Sequence, residues 1–180
     1  MLGPQVPEWR FETAGRSKFY SFSNNDRKAE KIIDNGRTYA QLFGSSNISP
    51  TGTSRYKIRI IRNTKNALDA AYGVGIALET SNLDIPFHGQ NHSHIIFIGT
   101  NNGTLVSDTV FHNNYLKMEI KEGMTMSVIV DMEDTMPTLR IEVNGKPVGV
   151  PWQLNLSIEQ RKHLRPAVTI AWVNDVVELV

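Results

Sequence analysis

A chain of 180 residues that is 40% hydrophobic and 21% charged has the length and apolar content of one ordinary soluble domain with a substantial core. A net charge of +1 argues against a broad basic surface for nucleic acid, and no stretch approaches the ~20 apolar residues of a membrane span. The absence of cysteine excludes disulfides, thiolate catalysis and cysteine-ligated zinc and leans towards a reducing, intracellular compartment; a monomer, cytoplasmic rather than nuclear, is expected.

Residues 1–17 read as an N-terminal segment, an edge strand or a tail, ahead of one domain over 18–180; Met1 to Pro7 holds no apolar run suited to a signal peptide. The stretch Asp26 to Ile33 admits a turn of helix. A loop is expected over Gly44 to Ser49, closed by the turn Pro50-Thr51-Gly52. Tyr56, Ile58 and Ile60 then alternate with Lys57 and Arg59, the period of a strand with one buried and one wet face. Arg62 to Asp69 is a polar connection. Tyr72 to Leu78 follows as a buried strand, with Gly73, Gly75 and Ala77 forming a small face that invites close approach by another backbone or a large side chain.

Ile95 to Ile98 is a short continuous apolar strand, and Gly99 to Ser107 reads as a loop around Asn101-Asn102-Gly103. Leu116, Met118 and Ile120 alternate with lysine and glutamate, predicting a strand before the turn Glu122-Gly123. Met126 to Val130 and Leu139 to Val143 are further strands, and Asn144-Gly145 directly after the second predicts a tight type I′ hairpin, since both residues tolerate positive φ. Ser157 with Gln160 forms a capping box for a short helix over Ile158 to Leu164, ended by Pro166. Ala167 to Val173 and Val176 to Val180 close the chain as strands. Many short strands at this spacing, with one or two short helices, predict an all-β, two-layer antiparallel sandwich of jelly-roll-like type.

The chemistry-bearing residues are few. His88, His92 and His94 have a spacing that three imidazoles could use for zinc, but a solvated histidine-rich loop explains them as well, and no metal or other cofactor is assigned. Asp131, Glu133 and Asp134 cluster at a strand end, an arrangement that paired-carboxylate catalysis or calcium binding could use. Gly73-x-Gly75 lies inside a strand and opens no helix, so it is not a phosphate loop. No Gly-x-Ser-x-Gly elbow is present, and no catalytic residue is assigned.

Taken together and in order, four segments resemble the SPRY domain over roughly residues 18 to 180. They are Gly52 to Ile58, the small-residue strand Tyr72 to Ala77, the run from Glu122-Gly123 through Asp131 to Asn144-Gly145 and Gly149, and Arg165-Pro166-Ala167-Val168 leading to Ala171-Trp172. The closing Ala171-Trp172 is similar to the SOCS-box adaptor branch, where a tryptophan there sits at the peptide site. Two positions depart from the pattern: Tyr56 replaces the usual tryptophan after the glycine turn, and His94 replaces the usual aromatic ahead of Gly99.

The resemblance implies a protein-interaction module. A peptide or partner protein would dock on loops at one rim, often for substrate recognition by a ubiquitin ligase, although no segment here reads as a ligase-recruiting box. The candidate partner-binding residues are Arg62, Thr64, Lys65, Asn66, Asp69, His94, Asn101, Asn102, Trp172 and Asn174, with Gly44 to Ser49 as an additional loop. Trp172 is read within a strand, as either a core residue or an apolar wall of the pocket, and His94 as either a ligand contact or a packing residue. The rival functions are a carbohydrate-binding or carbohydrate-cleaving lectin-like sandwich, and a structural domain of a large assembly.

Overall fold

The computed structural model describes residues 8–33, 40–62, 64, 72–98, 103–133 and 135–180. Its elements in order are β1 (Tyr20–Ser23), β2 (Lys28–Lys31), β3 (Ala40–Phe43), β4 (Thr53–Arg62) and β5 (Tyr72–Leu78). They continue with β6 (Ser93–Ile98), β7 (Thr104–Ser107), β8 (Val110–His112), β9 (Thr125–Asp131), β10 (Thr138–Val143) and β11 (Lys146–Gln153). Helix α1 (Ile158–Arg161), β12 (Leu164–Ile170) and β13 (Val176–Leu179) complete the chain, and a single 3-10 turn spans Phe87–Gly89. One sheet has seven strands in the order β1-β2-β13-β4-β9-β10-β11; the other has six in the order β3-β12-β5-β6-β7-β8. All the pairings are antiparallel, so the expected two-layer all-β sandwich is the observed fold.

The alternation read from the sequence sets which faces meet. Tyr56, Ile58 and Ile60 of β4 are at most 1% exposed, while Arg55, Lys57 and Arg59 stay in water. They pack with Val128, Ile141 and Val177 of their own sheet against Val74, Ile76, Ile96 and Val168 of the other. Each such side chain contributes about 1.5–3 kcal/mol by leaving water. Trp9 and Phe11 join this core from ahead of β1, and the Trp9 indole N–H donates to the Arg55 carbonyl at 2.8 Å.

The small face of β5 is used as its composition suggests. A Cβ placed on Gly75 would lie 1.9 Å from the His94 carbonyl oxygen of β6. From the other sheet, the Tyr56 hydroxyl donates to the Gly75 carbonyl at 2.5 Å, tying the two layers together. A second, smaller cluster lies around Ala77, Ile95, Val106, Ala167 and Phe43, roofed by Phe87 of the 3-10 turn. Asn144 and Gly145 have φ of 49° and 78°, as the hairpin between β10 and β11 requires.

Three expectations are corrected. Asp26 to Ile33 is not helical: Lys28–Lys31 is β2, paired to both β1 and β13, and these ladders override local helix propensity. Leu116, Met118 and Ile120 do not form a strand. Lys117 takes φ of 56° and Asn114 57°, so the chain bends, while Leu116 and Ile120 still bury themselves as single anchors. Finally, β12 stops at Ile170, and Ala171 to Asp175 is a bend rather than a continuation of the strand. The capping box on α1 forms as read: Ser157 accepts from the Gln160 N–H, and Gln160 accepts from the Ser157 N–H.

Candidate functional site

Strand register sorts the loops between the two ends of the sandwich. Ile170 of β12 lies opposite Tyr72 of β5, which lies opposite Ile98 of β6, and Arg62 of β4 lies opposite Val176 of β13. The end of β4, the start of β5, the end of β6 and the bend 171–175 therefore share one end. Gly44 sits at the other end: its N–H donates to the Pro166 carbonyl at 2.8 Å, and Ile48 N–H donates to the Leu164 carbonyl at 2.7 Å. The additional loop Gly44 to Ser49 is thus removed from the shared rim. Thr104 to Ser107, expected as loop, is strand β7.

The rim is organised by a buried carboxylate. Asp175 is 0% exposed, and its Oδ1 accepts from both the backbone N–H and the hydroxyl of Thr64, each at 2.7 Å. Burial raises the carboxyl above its ordinary value, opposed by the Thr64 donors, the Tyr72 hydroxyl and the charge of Lys31. Tyr72 is itself shifted up, by burial first and then by the charge of Asp175; its hydroxyl donates to the Arg62 carbonyl. Thr64 also reaches the Val173 carbonyl at 3.5 Å. Two stretches about a hundred residues apart are thereby held together.

The bend is anchored equally firmly to β2. Lys31 is 1% exposed, and its ammonium donates to the Ala171 carbonyl at 2.7 Å. Its backbone N–H donates to the Asp175 carbonyl at 3.1 Å, and its carbonyl accepts from Asn174 N–H at 2.8 Å. Asn174 takes φ of 68°, a conformation asparagine tolerates, and its side chain faces solvent. Trp172 lies in this bend, half-buried, packed against the main core on one side. Exposed Arg62 pairs with Glu30 of β2 at 3.4 Å.

The structure therefore brings together Arg62, Thr64, Trp172 and Asn174 of the expected site. Lys65, Asn66, Asp69, Asn101 and Asn102 lie outside the described residues. His94 is a correction. It is 0% exposed in the interior, because it lies opposite Ile76 and Ser107 and so shares their inward face. Its Nδ1 meets the Ser107 hydroxyl at 2.7 Å, and the same oxygen accepts from the Trp152 indole N–H at 3.0 Å, a polar bridge between the sheets. Burial lowers the imidazole to about 4, which keeps it neutral. His92 is half-exposed in the preceding turn, with its N–H on Asp108 at 2.6 Å. Asp131 caps its own strand end, accepting from Glu133 N–H at 3.1 Å.

Sequence reasoning missed Ile32 and Ile33, which are 45% and 46% exposed and follow directly from Lys31 at this rim. Two adjacent isoleucines just after an alternating strand were the available signal. They add exposed apolar surface directly after Lys31, whose hydrogen bonds hold the bend at Ala171, Asn174 and Asp175.

No family model matches the sequence, and no curated protein matches it. Among solved structures, the chain is similar to the crystal structure of the TRIM65 PSpry domain, with a TM-score of 0.71 and 8% identity over 97% of this chain and 92% of that one. It is also similar to the SPRY domain of human HERC1, with a TM-score of 0.63 and 13% identity over 96% of both chains. The fold is thus the SPRY-type sandwich that the four ordered segments suggested.

Proposed function

We propose that this SPRY-type domain is a protein-interaction module, and that a peptide or partner protein docks on the rim formed by Arg62, Thr64, Ile32, Ile33 and the bend from Trp172 to Asn174. The observation carrying the reading is the tie from Asp175 to Thr64, which presets two distant loop segments before any partner arrives. A preset surface loses less conformational entropy on binding than a mobile one. Half-exposed Trp172 supplies the apolar anchor, and the amide of Asn174 and hydroxyl of Thr64 offer hydrogen bonds to an extended backbone. No catalytic step is assigned to these residues. Closer kinship with the SOCS-box adaptor branch, and service as the substrate-recognition part of a ubiquitin ligase, belong to this proposal and rest on Ala171-Trp172 and on the fold of the neighbours.

The test is affinity capture followed by calorimetry with the captured partner. Trp172→Ala and Asn174→Ala are expected to weaken binding about tenfold or more, on the scale of a hot-spot residue. Lys162→Ala, at the far end, should leave it unchanged. Equal loss from both ends, or none from the rim, refutes the assignment. Unfolding by Trp172→Ala would make that residue purely a core residue and leave Asn174→Ala to decide the site.

A further inference from the structure

The end of the sandwich opposite the rim carries a cluster that the proposed function does not use. His163 follows α1 directly, with its Nδ1 2.6 Å from Glu79 Oε1 and its Nε2 3.2 Å from Glu159 Oε1. A neutral imidazole carries one N–H, so it can donate to only one of two carboxylates. Satisfying both contacts requires the doubly protonated ring. With a neutral ring, one nitrogen lone pair would face a carboxylate oxygen.

Three segments meet at this ring. Glu79 directly follows β5, and its backbone N–H also donates to the His163 carbonyl at 2.8 Å. Its second oxygen accepts from the Asn47 amide at 3.2 Å, and that amide also donates to the Lys162 carbonyl at 3.1 Å. The ring therefore links β5, α1 and the loop around Asn47. Helix α1 has no buried residue, and Ile158 is 76% exposed. Between the buried anchors Leu156 and Leu164 it is held by its capping box, by Arg161 donating to the Thr135 carbonyl at 2.8 Å, and by the His163 contacts.

We propose that His163 is a proton-operated clasp: its imidazolium locks α1 and the Asn47 loop to the end of β5, and its deprotonation loosens them. The other charges nearby fit this reading. Lys162 occupies the remaining oxygen of Glu159 at 2.7 Å, and Arg165 of β12, which acts on Glu79, is itself paired with Glu12 at 3.3 Å. The two carboxylates hold His163 above its ordinary value of 6.5, through the hydrogen bond to Glu79 first and that to Glu159 second. Both glutamates are held below theirs, with His163 the largest cause for Glu79 and Lys162 the largest for Glu159. A group raised in the folded state stabilises fully below its unfolded value and loses that contribution as pH rises through the folded value. The clasp is thus closed in mildly acidic conditions and opens on the alkaline side.

The experiment is an NMR titration of the His163 ring, with amide protection factors measured alongside in the wild type, Glu79→Gln and Glu159→Gln. The wild-type midpoint is expected above 6.5, and each substitution should lower it. Protection at residues 47 and 158–162 should fall several-fold across the wild-type midpoint, while residues 172–175 stay constant. A wild-type midpoint at or below 6.5, a midpoint unmoved by both substitutions, or protection that does not follow the titration overturns the proposal. Both glutamates lie at the surface, so the variants are expected to fold; a midpoint change without any change in protection would reduce His163 to an ordinary ion pair and refute the clasp.

Discussion

Acidification should destabilise this domain in part through His94, by an amount the structure allows to be worked out. The imidazole is buried between the sheets and depressed to about 4, against an ordinary value of 6.5. The folded state therefore keeps the ring neutral at a pH where the unfolded chain has already taken up a proton. The contribution is complete above pH 6.5, declines as pH falls from there towards 4, and levels off below. Each tenfold difference in proton affinity between the folded and unfolded chain is worth about 1.4 kcal/mol, so the loss between pH 7 and pH 4 is about 3 kcal/mol. For a chain of this size that corresponds to about 6–12 °C in melting temperature.

Carboxylates elsewhere also titrate in this range, so the assay compares urea melts of the wild type and His94→Gln at several pH values. Glutamine carries no charge in either state, and the difference between the two stability curves isolates the histidine. The wild-type advantage should shrink by about 3 kcal/mol on going from pH 7 to 4. A difference that does not vary with pH would refute the argument, as would an NMR titration showing the His94 ring charged at pH 6.

Three further outcomes follow from the packing. Asp175→Ala removes the acceptor for both Thr64 donors, and about 2–3 kcal/mol should be lost in chemical denaturation, with exchange rising at Thr64 and Asn174; unchanged stability would mean that the rim is not tied by this carboxylate. Gly75→Ala places a methyl group 1.9 Å from the His94 carbonyl, and because that neighbour is backbone, β5 and β6 must separate, so purified protein should lose cooperative unfolding in circular dichroism. A sharp, near-native melt would contradict the close approach. Phe87→Ala removes a ring that is 0% exposed and 5.6 Å from that of Phe43, so about 3–4 kcal/mol should be lost while the main core stays intact. Loss of Tyr56 burial by fluorescence quenching in the same variant would show that the two clusters are not separate.

How far the sequence reached depends on the kind of information each residue carries. Tyr56, Ile58 and Ile60 announce their inward face because period two is a local property of a strand, and Asn144-Gly145 announces its hairpin because positive φ is a local demand. Gly73, Gly75 and Ala77 announce a close neighbour but not its identity, which turns out to be the His94 carbonyl. Leu116, Met118 and Ile120 show the same alternation without being a strand, because a strand also needs a partner, and two left-handed residues turn this segment away from one.

For the site, local pattern identified polar loops and a tryptophan worth attention. It misjudged His94, whose meaning depends on which partner strand it faces, and it passed over Ile32 and Ile33, whose exposure is settled only by where β2 ends. The sequence alone determined the all-β character, the faces of β4, β5 and β10 and the capping box, since each follows from side chains a few positions apart, and it carried the ordered segments on which the resemblance to the SPRY domain rests. Only the tertiary structure decided which loops share an end, that Asp175 joins Thr64 to the Trp172 bend, and that His163 meets Glu79 across the far end. Those contacts join residues separated by about a hundred positions, and strand order, which no local preference encodes, is what brings them within hydrogen-bonding reach.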